Sequence, residues 1–376
     1  MARTRTLLVT ATTVLFGISC GSSKGKANVS QDAGACVGSA CNADAAACTG
    51  SGCKPDGSVG DRSSQNDQAV VAGCTITQLD AGQTGPHGLI ELYREPTFGV
   101  SLSGIGLDGG YVYFKDEGLL RRVPIAGGPA EDVMSWNVQS WTFVIRNSSV
   151  IWVESAFSGK TRLLQASVGG ADAGAPTVLV DNIDPPDTIL SDGQALYWDV
   201  LNSTNGGIHK LTLANSKLET LVPDVAPTGM VVQGTYLYWN DSSTQEMNRI
   251  PVAGGTAESV AQIFWGGLMA ADDQNIYWND NSDGVVMRWP LVGGTQNPIT
   301  LWQSTDMFQQ PPGLIAVAAG WVYFHSGDEC DSIVRINRDG TGQAIWAAIG
   351  AWPNGLALDD KYGYVVTDTV VFRFDL

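Results

Sequence analysis

One phrase recurs along this chain. Tyr236-Leu237-Tyr238-Trp239-Asn240-Asp241, followed by Arg249-Ile250-Pro251-Val252-Ala253-Gly254-Gly255, returns in altered form from residue 111 to the C-terminal end. With the second aromatic as register, the copies fall at Phe114, Trp152, Trp198, Trp239, Trp278 and Phe324, with Val366 taken as the seventh, at intervals of 38 to 46 residues. That spacing fits a four-stranded propeller blade and is too long for a helical pair or a leucine-rich turn. A lone blade cannot bury both its faces and must stack on copies of itself. Seven copies over residues 100–376 therefore predict an all-β fold, a seven-bladed β-propeller, with six or eight blades as alternatives.

The residues within a copy agree with short strands. β-Branched and aromatic residues dominate, successive side chains point to opposite faces, and no long segment carries a helical period. Gly-Gly at 127–128, 254–255 and 293–294 stands between extended segments, where a hairpin needs positive φ. Gly169-Gly170, Asn215-Ser216 and Asp339-Gly340 replace it elsewhere, which marks a turn requirement rather than a ligand site. The last copy supplies three strands and lacks a fourth. Either residues 74–79 or residues 89–93 are expected to fill the outer place and close the ring, which removes the open edges.

Two charged series accompany the repeat. Arg122, Lys210, Arg249, Arg288 and Arg335 each precede a turn. They read as side chains whose stems cover the blade and whose charges meet carboxylates, against the alternative of a cationic ring for an anionic ligand. Asp116, Glu154, Asp241, Asp280 and Asp368 follow the register position and read as turn locks, because short carboxylates at strand ends bond backbone amides.

Tyr238-Trp239-Asn240-Asp241, Tyr277-Trp278-Asn279-Asp280 and, more loosely, Tyr197-Trp198-Asp199 and Val366-Thr367-Asp368 resemble the YWTD-type propeller repeats of low-density-lipoprotein-receptor-like proteins and the related propellers of secreted bacterial proteins. The resemblance spans about three quarters of the chain. It implies the propeller fold. It implies no receptor role, since the receptor-type family has six blades alternating with cysteine-rich modules and this chain shows neither.

The first part of the chain concerns address. Arg3 and Arg5 precede an apolar run at residues 7–18 that ends in Ser19-Cys20-Gly21. The order fits a secretory signal over residues 1–19, too short for a membrane span. The ending resembles a bacterial lipoprotein signal, which implies lipidation of Cys20 and delivery to the outer membrane or cell surface, with a soluble secreted product as the alternative. Residues 20–73, rich in Gly, Ala, Ser and Asp, cannot bury enough apolar surface to fold and are expected to form a disordered stalk before a propeller at 74–376. Cys36, Cys41, Cys48 and Cys53 lack the close spacing and neighbouring histidine of a zinc site, so disulfide loops are expected in an exported chain. Cys74 and Cys330 complete an even set if Cys20 carries lipid.

A net charge of −17 excludes the electrostatic attraction on which nucleic-acid binding rests. Catalytic signals are sparse: no nucleophile elbow, zincin helix or phosphate loop is present, and only His87, His209 and His325 are available. His325, close in sequence to Asp328, Glu329 and Asp331, is the candidate base or metal ligand of an enzyme reading, a lyase or hydrolase with its site at the channel mouth. No cofactor is expected. Calcium is the one metal considered, at Asp280-Asn281-Ser282-Asp283-Gly284, which lacks the full loop spacing and its terminal glutamate. Binding is the preferred reading, because a propeller displays many loops on rigid strands. The expected product is a monomeric envelope or secreted module for a protein or glycan, touching the membrane only through its lipid, with a structural envelope protein as a further alternative. The segments around Trp265, Trp352 and Asn354 are expected to lead into innermost strands and contribute to binding. Among Trp136, Trp141, Trp265, Trp302, Trp346 and Trp352, at least half are expected in the core.

Overall fold

The computed structural model describes residues 68–71, 74–77, 84–135, 142–155, 161–168, 175–201, 206–263, 265–280, 283–292, 297–304, 312–327 and 330–376. The signal, Cys20, Cys36, Cys41, Cys48, Cys53, Trp136 and Trp141 lie outside them. Seven four-stranded antiparallel sheets succeed one another as blades I to VII. Blade IV shows the pattern: Pro227–Gln233, Tyr236–Asp241, Glu246–Pro251 and Glu258–Gln262 pair in chain order from the axis outward. The innermost strands Leu102–Asp108, Phe143–Arg146, Ile189–Ser191, Pro227–Gln233, Gly266–Ala271, Ile315–Ala318 and Pro353–Leu358 touch neighbour to neighbour around a closed ring. Among the described residues the one helical element is a short 3-10 turn, Pro86–Gly88.

Blade VII takes its first three strands from the end of the chain and its fourth, Ile90–Arg94, from before blade I. Of the two segments expected to compete for that place, the later one holds it. Cys74–Thr77 pairs instead with Gln68–Val71 in a separate two-stranded hairpin. Joining the two ends of the chain in one sheet leaves no seam between first and last blades.

Blade interfaces follow from strand alternation. Trp239 packs with Tyr197, Ile208 and Met230 between blades III and IV, while its neighbour Tyr238 packs with Trp278, Trp289 and Met269 between IV and V. Thus the register aromatic faces the preceding blade and the tyrosine before it faces the following one. This corrects the seventh register position. Leu356 pairs with Val365 as Met230 pairs with Trp239, and Val365 packs with Tyr323 of blade VI. Val366 packs with Phe114 on the other side, toward blade I. The register residue is therefore Val365, and Thr367 rather than Asp368 is the counterpart of Asp241. Two successive valines gave no aromatic to fix the phase, and a one-residue slip exchanges the faces.

The glycine pairs turn as required: φ is +87° and +136° at Gly127 and Gly128, and +90° and +140° at Gly254 and Gly255. The cations beside these turns are structural. Arg122, Arg249 and Arg373 lie over Tyr111, Tyr236 and Tyr362, and Arg335 lies over Trp321 and Trp346. Several also reach across to the next blade. Arg122 donates to the carbonyl of Val168 at 3.2 Å, Lys210 to Val252 at 2.5 Å, and Arg373, at the ring closure, to Ile125 at 2.5 Å.

Candidate binding face

Antiparallel pairing assigns every loop to one of two faces. Within a blade, the start of the first strand pairs with the end of the second, as Pro227 does with Asp241, and Asp241 in turn pairs with Glu246 at the start of the third. The blade-to-blade connections and the second-to-third hairpins therefore share one face, called here the connection face. The first-to-second turns and the glycine hairpins share the opposite one.

At the rim of the connection face, the residue after the register position points toward the following blade. Asn240 donates through Nδ2 to the carbonyl of Gly267 at 3.3 Å, and Asn279 donates to Pro312 at 2.6 Å. His325 holds the same position in blade VI. It is 0% exposed, its Nε2 lies 3.2 Å from Asp331 Oδ1, and its ring meets the edge of Trp352 from blade VII at 4.4 Å. The proposed base is thus paired with an acid but enclosed between blades, in a position whose counterparts lock blade to blade. His209 stacks on Trp198 at 5.7 Å, and His87 on Trp346 at 3.7 Å.

Asn354 belongs with these locks. It is buried and donates to the carbonyl of Leu102 in blade I at 2.9 Å and to Asp368 at 2.6 Å. Trp265 and Trp352 differ from it, being 54% and 39% exposed. Phe98, in the connection from blade VII to blade I, is 105% exposed and was missed in the sequence because it lies before the first repeat. These are the exposed Phe, Tyr and Trp side chains among the described residues, and all stand in blade-to-blade connections on this face. Trp302 and Trp346 are partly buried against the hydrophobic clusters.

Buried acids also line the rim. Asp199 accepts the backbone N–H of Thr188 at 2.7 Å, and burial pushes its carboxyl up to about 7. At the closure, Arg121 Nη1 meets Asp116 at 2.5 Å, Glu95 at 3.1 Å and the Tyr93 hydroxyl at 2.6 Å, with Asp132 on its Nε at 2.7 Å. Burial raises Asp116 to about 6 against the pull of Arg121, with Glu95 adding to the rise. Burial acts upward on Glu95 too, but hydrogen bonds from Tyr93 and Thr97 outweigh it and hold that carboxyl at about 2. Asp241 closes its turn by accepting Ser243 N at 2.9 Å, as expected of the carboxylate series, and Asp116 and Glu154 instead pair with Arg121 and Arg162. Among the described residues no group of three or more His, Cys, Asp or Glu is gathered to hold a metal ion, and residues 281–282 of the oxygen-rich loop lie outside them.

The opposite face carries a motif that reading by register passed over. Asp192, Asp272 and Asp359 each accept two backbone N–H bonds in a first-to-second turn and a hydroxyl bond from the tyrosine five residues on, Tyr197, Tyr277 or Tyr364, at 2.7 to 2.9 Å. Burial and these carboxylates raise the tyrosines well above their usual range. The constant Asp-to-Tyr spacing was the available signal.

No protein-family model matches the chain, and no curated protein matches it. Solved structures do. The chain is similar to the extracellular domain of the putative one component system BT4673 from B. thetaiotaomicron, at 11% identity and a TM-score of 0.56 over 76% of this chain and 39% of that one. It is similar to BamB from Moraxella catarrhalis, at 15% identity and a TM-score of 0.50 over 78% of this chain and 97% of that one. A chain of a nidogen/laminin complex matches at 20% identity and a TM-score of 0.42 over 50% of this chain and 76% of that one. At these identities the likeness to the BT4673 domain and to BamB concerns the fold alone, and the seven blades described above are that fold.

Proposed function

We propose that this chain is a binding module of the cell envelope or the extracellular space, recognising a protein or glycan through its connection face. One observation carries the reading: Phe98, Trp265 and Trp352 are exposed together on that face, whereas every other described Phe, Tyr and Trp is at least partly buried. Exposed aromatics on rigidly held loops lose little entropy on docking and supply large contact areas. An export signal over residues 1–19, lipid on Cys20 and a stalk running from there to the hairpin that begins at Gln68 would carry the propeller away from the membrane. That one similar structure is an extracellular domain accords with this address. Cys330 is disulfide-bonded in the structure, and Cys74 is the partner proposed for it, tying the hairpin to blade VI.

The test is capture from a native envelope fraction by the mature chain and by Trp265→Ala/Trp352→Ala, with protein and glycan analysis of what is retained and thermal melting to confirm the fold. A partner held by the parent chain and lost by the variant supports the reading. Identical capture by both removes it.

A further inference from the structure

The aromatic trio lies in an unevenly charged setting, and the charge indicates what covers it. Glu117, Asp181, Asp187, Asp224, Asp283 and Asp368 are exposed on the connection face and are distributed around the ring between the aromatic positions. The cations described there are Arg94, Lys115, Arg121 and Arg162. Arg94, Arg121 and Arg162 are engaged with Glu91, with the closure carboxylates and with Glu154, while Lys115 is buried. The other described cations gather toward the opposite face, where Arg122, Lys210 and Arg249 meet Glu131, Glu219 and Glu258. The disc is therefore polar: one face offers carboxylates and open aromatic rings, and the other holds most of the described cations.

From this we infer that the ligand of the connection face is a Lys- and Arg-rich polypeptide segment. The inference rests on the binding reading above. Ammonium and guanidinium groups are donors without acceptors, they satisfy carboxylates, and they stack on aromatic faces. Phe98, Trp265 and Trp352 stand at the junctions of blades VII and I, IV and V, and VI and VII, so an occupant reaching all three must cross blades V, VI and VII. An extended basic segment can do this, and the carboxylates between the anchors steer its approach and fix its placement.

A chain of net charge −17 attracts polycations over its whole surface, so the test must compare faces. The probe is a fluorescein-labelled Arg-Gly-Lys-Gly repeat peptide, titrated by anisotropy against the full mature chain at low and physiological salt. Saturable binding that weakens with salt is expected. Glu117→Gln/Asp224→Asn/Asp283→Asn and, separately, Trp265→Ala/Trp352→Ala should each weaken it at least tenfold. Asp273→Asn/Asp339→Asn/Asp360→Asn removes the same charge from the opposite face and should change it less than twofold. No saturable binding, or equal losses from both charge variants, overturns the inference. Envelope capture that depends on Trp265 and Trp352 but retains a glycan or a protein without a basic segment also overturns it, and leaves the binding reading standing. Capture indifferent to both tryptophans removes that reading itself.

Discussion

Asp199→Asn should stabilise this protein, and increasingly so as the pH rises. Asp199 is buried at the rim with one backbone donor, and burial lifts its carboxyl from 3.8 to about 7 in the folded chain. A folded-state value above the unfolded one means that the native protein holds a proton the unfolded chain has released. The contribution is intact below about pH 4 and is lost as the pH climbs toward 7. A difference of about three units, at roughly 1.4 kcal/mol each, amounts to about 4 kcal/mol of destabilisation at pH 8. Asparagine keeps an oxygen for Thr188 N–H and carries no charge to desolvate. Denaturant unfolding at pH 5 and pH 8 should show the gap between variant and parent widening by roughly 2–4 kcal/mol at the higher pH, read from midpoints at constant slope. A gap that stays constant across this range would refute the assignment of Asp199 as a buried acid that the fold strains to ionise.

The closure makes a second prediction. Arg121→Met strands Asp116 and Glu95 without their cation and should cost about 3 kcal/mol, the range for breaking a buried pair, with Asp116→Asn in the same chain recovering part of it; a loss below about 0.5 kcal/mol would place the cluster with exposed ion pairs. Gly229→Ala puts a Cβ 2.2 Å from the carbonyl oxygen of Gly267 on the next innermost strand. Because both partners are backbone, thermal melting should show a loss of about 1–3 kcal/mol or more. Trp239→Ala empties the wedge between blades III and IV and should cost about 3–5 kcal/mol, measured by denaturant unfolding. Tyr277→Phe removes one bond from the Asp272 turn, and a cost of about 1 kcal/mol is expected, additive with Tyr197→Phe and Tyr364→Phe because the turns are in separate blades.

The architecture was legible because each blade repeats the same physical problem, and Trp152, Trp198, Trp239 and Trp278 solve it in the same way. The phase slipped only at Val366, where no aromatic marked the side to be buried. Among candidate site residues, Trp265 and Trp352 were legible as large aromatics outside the repeated phrase. Asn354 and His325 resembled functional residues because they are polar at loop ends, but their partners lie in neighbouring blades, on Leu102 and Trp352, and such contacts are invisible before the ring is closed. The Tyr93, Glu95, Asp116 and Arg121 cluster was hidden for the same reason, since it joins the segment before the repeats to blade I.

The central claim is that recognition belongs to one face of the disc. Its most direct measurement is site-specific photo-cross-linking in the native envelope, with a photoreactive phenylalanine analogue placed in turn at Trp265, at Trp352 and at exposed Val292 on the opposite face. Discrete cross-linked partners at Trp265 and Trp352, with none at Val292, are the predicted result. Partners at Val292 alone would contradict the account.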